Sequence, residues 1–342
     1  MSKKVTYTIR LLFFLLLIPS LLLAGCAKKG DTPKTDKGKN EAVKLQKVTV
    51  MLDWMPNTNH TGLYVAKDKG YYKEQGLDVQ IVQPGQGTTA DQLVAAGQAD
   101  FGVSYQEGVT QARATDVPLV SIAAVIQHNT SAFASLKKAN IVSARDFEGK
   151  RYGGWGSPAE EAMLKAVMEK AGADYGKVKN VTLGATDFFT SIGKDADIEW
   201  IFYGWDGVEA KRRGMELNLL MLRDLDPALD YYTPVLVTNE KHVNEQKELV
   251  KKFMKATAKG YEFAIANPAE SADVLLKNAP ELNAALVKAS QDWVSKNYQD
   301  DAARWGIQKE EVWNRYAVWM SERKLIPKMI EPQKAFTNEF LP

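Results

Sequence analysis

Two short strings concentrate side chains able to hold a small polar molecule. The first, Asp53-Trp54-Met55-Pro56-Asn57-Thr58-Asn59-His60, brings an indole, two carboxamides and an imidazole together. It follows an alternating segment, Lys47–Leu52, and opens a helical one. That puts it beyond the carboxyl end of a strand, where ligands bind in open α/β sheets. Helix capping by Asn57, Thr58 or Asn59, with Trp54 merely packing, accounts for one of these residues. It does not account for Trp54, Asn57, Asn59 and His60 together. The second string, Trp200–Gly207 (WIFYGWDG), ends a strand near Phe202 and leaves Tyr203, Trp205 and Asp206 in the following loop. Aromatic faces beside a carboxylate suit a flat ligand with hydrogen-bond donors. The competing assignment has Trp205 packing and Asp206 capping the helix that begins near Val208.

A third string, Gly153-Gly154-Trp155-Gly156-Ser157-Pro158-Ala159-Glu160, sits at a strand-to-helix turn. It looks like a glycine-rich phosphate loop but is not GxGxxG and has no Walker lysine. Ser157, Pro158 and Glu160 read as a capping box with Pro at the first helical position. Glu160 and Glu161 already complement the positive helix end, so an anion there would compete with two carboxylates. Gly156 and Ser157 stay candidates for ligand contact through backbone or hydroxyl. Lesser candidates are Tyr105 and Gln106, Gln86, and the pair Tyr231 and Tyr232. His60, His128 and His242 lie far apart without HxH or HxxxH spacing, and Cys26 is the only cysteine, so no metal site and no internal disulfide are expected.

The elements needed to position these loops are legible. Strand-like Lys47–Leu52, Leu77–Val82, Asp100–Ser104 and Val117–Ile126 alternate with helical segments, the signature of a parallel sheet with right-handed crossovers. The pattern restarts after Ser143 with Arg151–Gly153, Val181–Leu183, Ile198–Phe202 and Leu217–Leu222 as strands. Ser131–Leu136 and Thr233–Thr238 read as two strands crossing between lobes, and the remainder is nearly all helix. The aromatic residues of that tail (Trp293, Trp305, Trp313, Tyr316, Trp319) recur partly at helical spacing and read as core. The expected architecture is α/β, a bilobal periplasmic-binding-protein-like (type II) fold of two parallel-sheet lobes. Lobe 1 covers residues 45–132, lobe 2 residues 133–236, and residues 237–342 return to lobe 1 with C-terminal helices. Such lobes close on a ligand by hinge motion, with the cleft between them as the default site.

The N-terminus supplies an address. Lys3, Lys4 and Arg10 precede the apolar run Leu11–Leu23, broken only by Pro19 and Ser20, and then Ala24-Gly25-Cys26. This is the n-region, h-region and cleavage layout of a secretory signal over residues 1–25. The run of ~13 apolar residues falls short of the ~20 needed to span a bilayer. The Leu23–Cys26 string resembles a bacterial lipobox, which implies that Cys26 is diacylated and becomes the mature N-terminus. The alternative is a plain signal peptide with an incidental cysteine. Two acyl chains, at ~0.8 kcal/mol per buried CH₂, anchor a protein stably. Residues 26–44, rich in Lys, Asp, Gly, Thr and Pro, read as a solvated tether. A formal net charge of +2, with no basic block beyond the tether, makes nucleic acid a poor partner.

The segment Asp53–Gly76 (DWMPNTNHTGLYVAKDKGYYKEQG) resembles the thiamin-pyrimidine family, as does the ending Thr337-Asn338-Glu339-Phe340-Leu341. That family comprises ABC-transporter receptors for formylaminopyrimidine or hydroxymethylpyrimidine and the related fungal pyrimidine synthases. The PNTNH string carries the likeness. GYYKEQGLDV alone is shared by many receptors for sulfonates and nitrate. The resemblance implies a monomeric receptor, without cofactor, that passes an aminopyrimidine to a membrane ABC permease. In it Tyr203 or Trp205 would supply a stacking face, and Asp206 would read the amidine-like edge. Two rivals stay open: a receptor of the same fold for sulfonate- or nitrate-type solutes, and a synthase-like enzyme. In the synthases a histidine corresponding to His60 is consumed and a cysteine-rich motif before the return crossing serves iron. Here that approach reads Asp230-Tyr231-Tyr232-Thr233-Pro234, with no cysteine after Cys26. The resemblance therefore implies binding without reaction, with His60 contacting ligand or ordering its loop.

Overall fold

The structure, a computed structural model, describes residues 44–85, 88–184 and 186–342. The signal peptide, the lipidation residue Cys26, the tether up to residue 43 and the candidate Gln86 lie outside the described residues.

Two five-stranded sheets form the frame. The first holds β1 (Gln46–Met51), β2 (Leu77–Val82), β3 (Phe101–Ser104), β4 (Leu119–Ala124) and β10 (Val235–Asn239), in the order β2-β1-β3-β10-β4. The second holds β5 (Ser131–Leu136), β6 (Arg151–Gly154), β7 (Lys179–Thr182), β8 (Ile198–Phe202) and β9 (Leu217–Met221), in the order β7-β6-β8-β5-β9. The two orders are the same pattern repeated, as expected for a bilobal type II architecture.

The two segments read as crossing strands do more than connect. β5 arrives from the first sheet and runs antiparallel between β8 and β9, and β10 returns to run antiparallel between β3 and β4. Each sheet is therefore mixed, with the expected parallel strands interrupted by one of opposite direction. Burial on both faces explains the composition of these strands: every residue of β4 and β10 is buried, as is all of β5 except Leu136.

The chain passes between sheets at 125–130 and 222–234, and the two passages are tied together. Val125 N–H donates to Pro234 O at 2.9 Å, and the Asn129 carboxamide donates to Leu229 O at 2.8 Å. The C-terminal helices pack on the first sheet, with Leu249, Val250, Phe253 and Phe340 in one apolar cluster with Val48, Val50, Phe101 and Ile122. The tail aromatics Trp305, Trp313, Tyr316 and Trp319 are buried core, as their spacing suggests. Trp293 is half-buried.

Helix Thr61–Asp68, which carries the PNTNH loop at its start, crosses helix Lys247–Ala266 at Gly62 and Gly260. A Cβ on Gly260 would strike the Gly62 carbonyl, so only glycine permits this approach. The close crossing holds the loop rigidly against the C-terminal helices.

Candidate ligand-binding cleft

A cleft of about 470 Å³ opens between the sheets, within the range of small-molecule sites. The first lobe contributes the Asp53–Asn59 loop and Tyr105, and the second contributes Gly153–Trp155, Thr186–Phe188 and the end of β8 through Asp206. A side chamber of about 200 Å³ adjoins it, sharing Tyr105, Trp155, Glu160 and Trp200 as walls.

The Asp53–His60 loop is organised by its own polar groups. Asn57 Oδ1 accepts the Asn59 N–H at 2.9 Å, and the Asn57 carboxamide donates to Met55 O at 3.0 Å. His60 is fully buried and does not line the cleft. Its Nδ1 accepts the Asn57 N–H at 3.2 Å, which leaves Nε2 to donate to Asp53 Oδ1 at 2.6 Å. Of the two roles open to His60, ordering the loop is the one this geometry serves. Asp53 Oδ2 accepts the Tyr105 hydroxyl at 2.7 Å. Burial pushes the Asp53 carboxyl up, but the His60 and Tyr105 partners outweigh it and hold the group below the usual carboxylate range. Trp54, Asn57 and Asn59 line the cleft, so the loop presents its indole and carboxamides while its imidazole faces inward.

The glycine-rich turn differs from its expected form. Ser157 Oγ caps the helix by accepting Glu160 N–H at 3.2 Å, but the reciprocal half of a capping box is absent. The Glu160 side chain instead folds back to accept N–H groups of Trp155 at 3.0 Å and Gly156 at 3.1 Å, and the Tyr152 hydroxyl at 2.7 Å. A Cβ on Gly154 would collide with this carboxylate, which explains glycine there. Gly156, in the left-handed region at φ +84°, lies outside the cleft lining, and Ser157 lines only the side chamber. The turn's N–H groups are thus occupied by a resident carboxylate.

The end of β8 enters a wide turn of π-helical character over Tyr203–Gly207, a feature frequent at functional sites. It sends Trp205 and Asp206 to the cleft but Tyr203 away from it, and Tyr203 packs on Trp293 with ring centroids 5.1 Å apart. Tyr203 is therefore a packing residue where a stacking face was expected. Helix Ala284–Asn297 fastens the turn. Ser290 Oγ donates to Gly204 O and shares a 2.6 Å hydrogen bond with Thr58 Oγ1 of the first lobe. Burial pushes Asp206 up to about 6, with nearby Asp187 adding to it and backbone N–H groups opposing. Burial likewise pushes Glu199 up to about 7.

Trp155, Glu199, Trp200, Asp187 and Phe188 line the cleft without having been singled out in the sequence. Trp155 and Trp200 stood in the quoted strings without being given a role, whereas Glu199 read only as strand. Of the lesser candidates, Tyr105 lines the cleft and Tyr231 the side chamber. Gln106 and Tyr232 are buried and bond each other, the Tyr232 N–H donating to Gln106 Oε1 at 2.9 Å. Among the described residues no group of His, Cys, Asp or Glu is arranged to hold a metal ion.

The NMT1/THI5-like family matches residues 57–271. The chain belongs to that family. It is 31% identical over 328 residues to the formylaminopyrimidine-binding protein of Halalkalibacterium halodurans, covering 94% of this chain and 97% of the relative. It is 25% identical over 305 residues to the 4-amino-5-hydroxymethyl-2-methylpyrimidine phosphate synthase of Legionella pneumophila, covering 86% and 92%. In fold it is similar to the alkanesulfonate-binding protein SsuA from Xanthomonas axonopodis pv. citri, with a TM-score of 0.65 at 14% identity over 85% of this chain and 98% of that one. That likeness confirms the bilobal binding-protein architecture of this NMT1/THI5-like chain.

Proposed function

We propose that this protein is an extracytoplasmic solute receptor that captures a thiamin-type aminopyrimidine between its lobes and presents it to an ABC permease. The observation that carries this reading is the charge of the cleft. Among the described lining residues stand the carboxyls of Asp53, Glu160, Asp187, Glu199 and Asp206, and no lysine or arginine. A sulfonate or nitrate would find no counter-charge there, and Glu160 already occupies the N–H groups of the glycine-rich turn. An aminopyrimidine suits this wall, because its exocyclic NH₂ donates to a carboxylate and its flat ring stacks on indole. Asp206 is assigned as the edge reader, with Trp54 and Trp205 as faces. The likeness to the formylaminopyrimidine-binding protein of Halalkalibacterium halodurans points the same way.

Trp54, Met55 and Trp155 are 49%, 53% and 45% exposed at the cleft, with the first two on one lobe and the third on the other. Closure would bury this apolar rim over the ligand and strengthen every polar contact inside. Anchoring by acylated Cys26, the division into lobes at residues 45–132, 133–236 and 237–342, a monomeric state and the absence of catalysis belong to the same proposal. The lone cysteine favours a receptor over a synthase that spends a cysteine cluster on iron.

Calorimetry against formylaminomethyl-, aminomethyl- and hydroxymethyl-aminopyrimidines, taurine and nitrate tests the proposal. Tight binding of a pyrimidine alone is expected, and tight binding of the anions alone overturns it. Turnover with loss of mass at His60, after incubation with pyridoxal phosphate and iron, would establish the synthase reading instead.

A further inference from the structure

Two consecutive residues on β8 each leave a buried polar atom without a hydrogen-bond partner, Glu199 Oε1 and Trp200 Nε1. Both residues line the cleft, whereas the other side chains with such orphaned atoms among the described residues do not. Proteins rarely leave buried polar atoms unpaired, and an orphaned carboxyl oxygen is among the costliest.

Glu199 is 6% exposed, and its surroundings give it no cation. Ser191 stands beside it, and the charges acting on it are the carboxyls of Asp206, Asp187 and Asp195. Gly153 is its register partner on β6, and a Cβ there would collide with Leu183 and Ala196 and crowd Glu199 Cγ at 3.2 Å, so glycine is needed where these three side chains converge. The position thus holds a carboxyl that has Ser191 as its hydrogen-bonding neighbour and leaves Oε1 without a partner in the protein. Its cross-strand partner on β5, Ala134, belongs to an apolar cluster with Ala132 and Ile201, which a leucine at this position would extend.

We infer that Glu199 is a ligand contact, its free Oε1 accepting a hydrogen bond from an N–H or O–H of the captured molecule at a donor site separate from the edge read by Asp206. The inference rests on the receptor reading and narrows its ligand class. The occupant carries two donor groups, such as a ring amine and a donor-bearing arm, and Trp200 Nε1 offers a donor to an acceptor on the same molecule. A substituted aminopyrimidine has this pattern, and a sulfonate does not.

The test compares wild-type protein with Glu199→Gln and Glu199→Leu by calorimetry against hydroxymethyl-aminopyrimidine, and by thermal unfolding without ligand. A ligand role predicts at least a tenfold loss of affinity in Glu199→Leu and a smaller loss in Glu199→Gln. It also predicts a Tm in both variants that is unchanged or raised by a few degrees, because the unpaired carboxyl costs the free protein stability. Unchanged affinity in Glu199→Leu overturns the inference. So does a Tm lowered by several degrees in both variants, which would mark Glu199 as structural. Wild-type protein that binds none of the pyrimidines overturns the pyrimidine reading instead, and the melting temperatures still decide Glu199.

Discussion

The Glu160 carboxylate reaches back past its own helix cap to accept the backbone N–H of Trp155 at 3.0 Å. With the bonds from Gly156 and Tyr152 it turns a loop of phosphate-binding appearance into one already saturated by a negative charge. The protein supplies its own anion, and what is left of the cleft attracts donors.

Glu160→Ala tests this directly. Loss of the carboxylate leaves two N–H groups and a buried hydroxyl unpaired, at a cost of about 2–3 kcal/mol readable by urea unfolding. Sulfate at millimolar concentration should raise the Tm of the variant by occupying the freed N–H groups and leave the wild-type Tm unchanged.

Asp206→Asn should weaken pyrimidine binding at least tenfold in calorimetry while the free protein folds normally. Its pH dependence carries a sign. The folded group sits at about 6, above its ordinary value of 3.8, so the native state holds the proton more tightly. The wild type therefore loses stability as pH rises from about 4 through 6, by about 2 kcal/mol at most after solvent screening. Asp206→Asn should be the more stable protein at pH 7, and the advantage should vanish below pH 4.

His60→Ala removes a buried imidazole that holds both the Asn57 N–H and Asp53. Stability should fall by about 3 kcal/mol, because a buried carboxylate loses a partner. Affinity should fall with it as Asn57 and Asn59 lose their frame. Wild-type protein incubated with ligand should keep an intact His60 by mass spectrometry.

His128 and Asp230 join the two interlobe passages at 2.7 Å, and Asp301 approaches the same ring at 3.3 Å. The Asp230 hydrogen bond pushes His128 up to about 8, burial opposing it. The folded value lies above the ordinary 6.5, so this contribution is complete below about pH 6.5 and is lost as pH rises through about 8. Urea unfolding should show the wild type about 1 kcal/mol less stable at pH 9 than at pH 6 from this source. In His128→Gln that difference should disappear.

Local sequence determined a great deal. Alternating strand and helix, restarting after Ser143, announced two α/β lobes. The strand ends at Asp53 and Phe202 placed two loops that line the cleft, because strand direction and crossover handedness leave few alternatives. Trp54, Asn57, Asn59, Trp205 and Asp206 all reach the cleft.

The direction of individual side chains was decided elsewhere. Tyr203 turns outward because Trp293, ninety positions further along, offers it a packing face, and Ser290 binds the neighbouring Gly204 carbonyl. His60 turns inward because Asp53 and the Asn57 N–H together satisfy both ring nitrogens. Glu199 and Trp200 sit in a plain strand pattern, and only the approach of the opposite lobe makes that strand end the floor of a cleft. Periodicity reports which face of an element is buried. What it is buried against depends on contacts between segments far apart in the chain, and those contacts chose the residues left free to meet a ligand.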